Sequence, residues 1–336
     1  MTAPPRADQL PSDTAAPASA AVHAGRAPDF FIVGHPKCGT TALYEMLRRQ
    51  PAIYMPELKE PQFFASEMRA GPRPQHLPDT LDQYLSLFAP ARADQLTGEA
   101  SPSYLRSHTA ACAIAEVAPR ARIIAILREP ASLLRSVHLQ FLQAGIEDEY
   151  DLRRALALEQ DRREGRSLPP GGLWPQALLY SEHVRYLEQL RRYHAVFAPE
   201  NVLVLIYDDF RADNDGAVRS VLRLLGVDEG APIERREANP TVAPRSRHLD
   251  AWLYALRSGR GPVSRGAKAA LKALAPQRTH RRLARTVQRS VVYGSPAPLD
   301  ARLTSELRGR FKPEVLALSE YLDRDLVSLW GYDDVG

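Results

Sequence analysis

The residues best suited to chemistry lie between Phe30 and Glu45, in the run FFIVGHPKCGTTALYE. Lys37 follows Pro36, Cys38 and Gly39 come next, and two hydroxyls, Thr40 and Thr41, close the group. An ammonium, a glycine and paired hydroxyls packed this tightly form a donor set for an oxyanion. The flanking elements aim that set. Phe30, Phe31, Ile32 and Val33 read as an apolar strand, and Thr40 and Thr41 open a helix that continues through Ala42, Leu43, Met46 and Leu47. A strand, a glycine-containing loop and a helix N-terminus direct unpaired N–H groups and the positive end of the macrodipole at one spot. Gly34 and Gly39 have the spacing of the triphosphate loop G-x-x-x-x-G-K-[ST], but Thr40 follows Gly39 and the lysine sits earlier, at Lys37. The loop is expected to hold a phosphate rather than a magnesium triphosphate.

A second group lies in Ala121 to Gly145, ARIIAILREPASLLRSVHLQFLQAG. Ile123 to Leu127 has the length and unbroken apolarity of a buried parallel strand. Arg128 ends it, Pro130 suits a first helical turn, and Leu133, Leu134, Val137 and Phe141 form a helical stripe. Arg128 at the strand end and Ser136 two turns into the helix can converge on one anion, the guanidinium bidentately. The alternative leaves Arg128 paired with Glu129 or the sheet edge and Ser136 as a helix-surface hydroxyl. A third group is Leu58 to Phe64, LKEPQFF, a loop bounded by Pro56 and Pro61 that carries Glu60. A carboxylate there can take a proton from an attacking hydroxyl; a salt bridge to Lys59 or a helix cap are the alternatives.

P-K-x-G-T-T after a strand resembles the 5′-phosphosulfate loop of sulfotransferases that use 3′-phosphoadenosine 5′-phosphosulfate (PAPS). The arginine at a strand end followed eight residues later by a serine is similar to that family's 3′-phosphate site. Glu60 in E-P-Q-F-F occupies the place of the catalytic base in the Golgi and heparan-type branch. Cytosolic branches use a histidine; His108 and His138 are the nearest analogues here, and neither lies in a matching motif. Thr97 to Leu105, TGEASPSYL, resembles the family segment E-K-[ST]-P-x-Y through Glu99, Ser101, Pro102 and Tyr104. Ala100 stands where that pattern has lysine, so no charge-neutralising role carries over. Ser101 and Tyr104 read either as acceptor-pocket residues or as a turn and a packed ring.

The likeness continues through a helix over Ala177 to Phe197, a buried strand NVLVLIY, a helix over Val218 to Leu225, NPTVAPRSR, and Phe311 to Trp330. It implies an α/β fold: a single domain with a central parallel sheet flanked by helices, a P-loop-like sulfotransferase fold with a helical C-terminal region. It implies catalysis by Lys37 and Glu60. Donor binding is implied for Pro36, Lys37, Cys38, Gly39, Thr40, Thr41, Arg128, Ser136 and Arg245, with PAPS as donor, PAP as product and no metal. The implied acceptor is a hydroxyl on a glycan, a lipid or a secondary metabolite.

Composition sets further bounds. The chain has 336 residues, 44% of them hydrophobic, enough for one large core, and its strand and helix patterns alternate as in an α/β domain. Residues 1–27 are rich in Ala and Pro and read as a disordered tail ahead of a domain over 28–336. No stretch approaches the roughly 20 apolar residues of a membrane span, and a cytoplasmic location is expected. Cys38 and Cys112 imply no disulfide framework; Cys38 reads as a small loop residue, or as an activated thiol at a helix N-terminus. No acidic residue lies between Asp250 and Asp300, while basic residues run from Arg257 to Arg289. The basic helical segment over 251–299 can be a lid on an anionic donor, a binding face for an anionic or membrane-associated acceptor in peripheral contact with an anionic surface, or a solvated helical face. Nucleic acid is not expected as a partner, because no recognised module accompanies the charge.

Two rivals remain at this level. A P-loop small-molecule kinase needs a lysine after Gly39 and an acidic magnesium ligand, for which Asp208 is the candidate. A non-catalytic nucleotide-binding protein of the same fold is the other.

Overall fold

The computed structural model describes residues 25–68, 74–169, 175–233, 243–244, 293–294 and 299–335. Both continuous apolar runs are strands. Five strands, β1 (Phe30–Gly34), β2 (Ile53–Tyr54), β3 (Leu96–Ala100), β4 (Arg122–Leu127) and β5 (Val202–Ile206), form one sheet in the order β2-β3-β1-β4-β5. Every pairing in it is parallel. Ile123 to Leu127 and Phe30 to Val33 are wholly buried, as strands covered on both faces must be. After β1 the chain runs out to β2 and returns through β3, then crosses to the other side of β1 for β4 and β5. The order therefore reverses at β1. In open parallel sheets the crevice beyond the carboxyl ends of the strands at such a point is where ligands bind.

The helices are α1 (Thr40–Leu47), α2 (Leu81–Ser86), α3 (Ala110–Val117), α4 (Pro130–Ala144), α5 (Leu152–Ala157), α6 (Glu159–Arg163), α7 (Tyr180–His183) and α8 (Tyr186–His194). Then come α9 (Tyr207–Ala212), α10 (Asn214–Leu225), α11 (Ala301–Tyr321) and α12 (Leu326–Trp330). Local chemistry sets several ends. Thr80 and Gln83 form a reciprocal capping box at α2. Glu129 caps α4 by accepting from the Ala131 and Ser132 amides, with Pro130 in the first turn and Gly145 left-handed at the far end. α11 packs on α4, α8 and α12, which gives the domain its helical C-terminal region. Among the described residues, no helix is long and apolar enough to cross a membrane.

Two sequence expectations need correction. The run over 202–206 forms a strand, but Val202 to Leu205 are only half-buried, because β5 is the sheet's edge. The helix expected over Ala177 to Phe197 is a 3₁₀ turn (Pro175–Leu178) followed by α7 and α8, with a break at Val184 and Arg185. Residues 1–24 of the expected tail lie outside the described residues, as do Arg245 and all but 293–294 and 299 of the basic segment.

One polar cluster inside the fold carries a stability prediction. Arg162 and Glu147 are wholly buried side chains joined by two hydrogen bonds, of 2.8 and 2.9 Å. Glu147 also accepts from the Tyr180 hydroxyl and the Asp148 and Glu149 amides. With those contacts the carboxylate is satisfied; without arginine it is a buried charge with no counter-ion. Arg162→Met is expected to cost about 3–5 kcal/mol, as for other buried pairs that lose one partner, read as a lower midpoint in urea unfolding. A midpoint within experimental error of wild type would show that the pair contributes nothing net.

Candidate functional site

The carboxyl ends of β3, β1 and β4 carry the three groups singled out from sequence. β1 leads into the loop 35–39, whose residues bury a hydrophobic and polar underside. His35 is wholly buried, its amide donating to the Ile126 carbonyl and its ring edge-on to His183 and Tyr186 at 5.5 and 6.1 Å. Burial lowers its pKa to about 3, so the ring is neutral. Cys38 is wholly buried too, and burial pushes its thiol up to about 12. Full burial and a raised thiol pKa favour a small packed residue over an activated thiol at Cys38.

Gly39 and Lys37 show what the loop geometry demands. Gly39 is the N-cap of α1 in a left-handed conformation (φ 86°), and no side chain caps the helix. A Cβ at Gly39 would stand 2.8 Å from the Phe210 ring, so glycine is required on both counts. Lys37 is itself left-handed, with φ 68°. Such backbone is uncommon outside glycine and is held only where surroundings over-determine it. One such constraint is visible: Arg128 Nη1 donates to the Lys37 carbonyl at 3.1 Å.

Arg128 follows β4, next to β1 in the sheet. Its guanidinium carbon lies 4.6 Å from the centre of the Tyr207 ring, a cation–π contact that fixes its plane. The Tyr186 hydroxyl donates to its carbonyl at 2.8 Å. Glu129 does not take up the guanidinium: besides capping α4 it accepts from Tyr332 and faces Arg308. The alternative in which Arg128 is spent on Glu129 therefore fails. Ser136 is buried on α4 rather than a surface hydroxyl, and Thr40 is buried in the first turn of α1. Arg245 lies outside the described residues; Ala243–Pro244 before it lies against α4.

Glu60 stands beyond the end of β3. It is left-handed (φ 60°), as is Gln62 (φ 50°), so this loop shares with the Lys37 loop a backbone that only its surroundings maintain. The Glu60 amide donates to the Ala100 carbonyl at 3.1 Å. Its carboxylate pairs with Lys59, as one sequence alternative had it, and its side chain is 42% exposed. His138, by contrast, is buried with Nε2 2.7 Å from the Glu149 carbonyl, inside the protein rather than at the crevice.

Four features were missed in the sequence. Tyr207 and Phe210 wall the loop 35–39 at Gly39, with Tyr207 also holding Arg128. The C-terminal helices brace that wall, Trp330 donating to Asp208 at 3.0 Å and Arg324 pairing with Asp209. Asp208 thus has one oxygen engaged by an indole, which weakens the kinase reading. The fourth is Glu99. Burial raises its pKa to about 7, and it accepts from Ser101, Tyr84 and Tyr104. Ser101 and Tyr104 are consequently buried on Glu99 and do not line an open pocket. Only E-x-S-P-x-Y hinted at this cluster, and the partner Tyr84 sits in another element.

Residues 28–230 match the Sulfotransferase family. Carbohydrate sulfotransferase 15 of Mus musculus is 26% identical over 268 residues, covering 65% of this chain and 47% of that protein. Bifunctional heparan sulfate N-deacetylase/N-sulfotransferase 3 of Homo sapiens is 27% identical over 227 residues, covering 60% of this chain and 22% of the relative. The chain thus spans about half the length, or less, of the curated relatives it matches. Among solved structures, a sulfotransferase from Alicyclobacillus acidocaldarius shares the fold with a TM-score of 0.65 and 24% identity, covering 91% of this chain and 99% of its own.

Proposed function

Since the chain belongs to the sulfotransferase family, we propose that it transfers the sulfuryl group of PAPS to a hydroxyl acceptor. The observation that carries this reading is the meeting of the Lys37 loop, Arg128 and the Glu60 loop at the carboxyl ends of β1, β4 and β3, where strand order reverses. The fit to an anionic nucleotide is local and physical. α1 opens with no side-chain cap, Gly39 leaves no room for a Cβ, and Arg128 is stacked in place beside the loop.

In this reading Pro36 to Thr41 cradle the 5′ end of the donor with backbone N–H groups and the Thr40 and Thr41 hydroxyls. Arg128 and Ser136 hold its 3′-phosphate, and Arg245 joins the donor-binding set. When bound, the donor supplies an activated sulfur whose bond to the bridging phosphate oxygen breaks as the acceptor attacks. Lys37 neutralises the charge that develops on that oxygen. Glu60 takes the proton of the acceptor hydroxyl. Catalysis is then positioning plus electrostatics, as in phosphoryl transfer. The names of the relatives favour a glycan as acceptor, and one of them names transfer to nitrogen; a hydroxyl on a glycan, a lipid or a secondary metabolite is the acceptor proposed.

A thermal-shift titration with PAP, ADP and magnesium ATP tests the donor. At about 100 times its Kd a ligand adds about 2.7 kcal/mol, several degrees for a domain of this size. Stabilisation by PAP alone, without metal, is expected. Stabilisation by magnesium ATP instead would bring the kinase reading forward.

A further inference from the structure

The last residue of β3 and the segment after it tie down the Glu60 loop at every second residue. The Glu60 amide donates to the Ala100 carbonyl (3.1 Å), the Gln62 amide to Ser101 Oγ (3.1 Å), and the Phe64 amide to the Tyr104 hydroxyl (3.3 Å). Two of those three acceptors are hydroxyls, and each donates its own hydrogen bond to one buried carboxylate: Ser101 to Glu99 Oε1, Tyr104 to Glu99 Oε2. Tyr84 of α2 donates a further hydrogen bond to Oε2 at 2.6 Å. The same rings pack the aromatic pair beyond Glu60, Phe63 stacked on Tyr84 with centroids 4.8 Å apart and Phe64 against Tyr104 at 5.9 Å.

We propose that Glu99 is the positioning residue of the Glu60 loop, its carboxylate gathering the Ser101 and Tyr104 protons so that both hydroxyls accept backbone N–H groups flanking the base. A hydroxyl that donates to a carboxylate presents its lone pairs elsewhere, and here they meet Gln62 and Phe64. Without an acceptor-only group at Glu99, the two hydroxyls have no reason to point that way. The left-handed backbone of Glu60 and Gln62 is then held by fewer ties. The inference rests on Glu60 being the base, but the anchor itself is a claim about hydrogen bonds and can be read separately.

Protonation gives the device a pH dependence. The titratable groups facing Glu99 are Glu60, Tyr84, Tyr104 and Tyr193 of α8. Glu99, raised by burial to about 7, is protonated as pH falls through neutrality, and one of its three donors must then turn away.

The test is Glu99→Gln in the full chain, with two readouts. Backbone amide exchange at Gln62 and Phe64 is expected to quicken in E99Q, and in wild type as pH falls below 7 after correction for intrinsic rates. Amides of 38–41 should not follow. In turnover, E99Q is expected to lower kcat about 10- to 100-fold, the scale of a misplaced catalytic group, with PAP affinity unchanged and the wild-type step near pH 7 lost. Unchanged exchange at both amides overturns the anchor. So does wild-type kcat with an unaltered pH profile. Loss of turnover as deep as in Glu60→Gln with unchanged exchange would mean that Glu99 enters the chemistry itself, which also overturns it. Should E99Q fail to fold, wild-type exchange at Gln62 and Phe64 between about pH 8 and pH 6 carries the same decision, set against Tyr104→Phe, whose Phe64 amide has lost its acceptor and should exchange fast at every pH. If Glu60→Gln retains turnover while exchange responds as expected, the base assignment fails and the anchor stands.

Discussion

Lys37→Ala is expected to lower kcat about 100- to 1,000-fold, the loss seen when one preorganised donor to developing charge is removed, while PAP affinity falls much less. In the proposed reading the ammonium matters little before the S–O bond begins to break, because the loop amides would already hold the donor. It matters most as negative charge collects on the bridging oxygen, and an interaction made mainly in the transition state appears in kcat. The backbone supports a clean test. Alanine is an L residue like lysine, so at φ 68° it meets the same steric cost and the loop need not change shape. Arg128→Ala is expected to do the reverse and chiefly weaken donor binding. The structure adds a coupling: Arg128 also holds the Lys37 carbonyl, so the double variant should lose less than the two single losses combined. Steady-state kinetics with a thermal-shift titration of PAP measures both. Equal effects of the two single variants on kcat and on affinity would remove the division of roles.

The sheet was legible in the sequence for a physical reason. Phe30 to Val33 and Ile123 to Leu127 are unbroken apolar runs of strand length, and such runs suit only strands covered on both faces. Arg128 and Pro130 marked the strand end and the helix start because charge and a fixed φ are tolerated there. Burial of β5 was overstated because composition does not tell an edge strand from a central one. The break between α7 and α8 was missed because Tyr180, Tyr186, Leu190 and Tyr193 keep an apolar face on both sides of it. What the sequence hid in the site is what topology supplies. Arg128 meets the Lys37 carbonyl across 91 residues, and Gln62 meets Ser101 across 39. No local pattern encodes those meetings; they follow from β3 and β4 flanking β1. Motif spacing found the residues that touch a ligand in the proposed reading and matched Glu99, but it did not show that Glu99, Tyr207 and Phe210 hold such residues still.

Glu60→Gln is expected to lower kcat about 100- to 10,000-fold, the range for loss of a general base, with PAP affinity nearly intact. Glutamine keeps the size of the side chain and the Glu60 amide bond to Ala100, so the loop retains its tie to β3. It loses the ion pair with Lys59, which is half-exposed on the Glu60 side and worth little to stability. The substitution thus removes a proton acceptor and little else. Lys59→Ala separates the two consequences: it breaks the same pair while leaving the carboxylate, and should leave most of the turnover. Glu60 lies at the β3 side of the crevice and Arg128 at the β4 side, so the base should not sense the 3′-phosphate. Affinity for PAP is therefore the control that tells a lost base from a collapsed site. Turnover within a few-fold of wild type in Glu60→Gln would dismiss Glu60 as the base; a parallel loss of PAP affinity would show instead that the loop shapes the donor site.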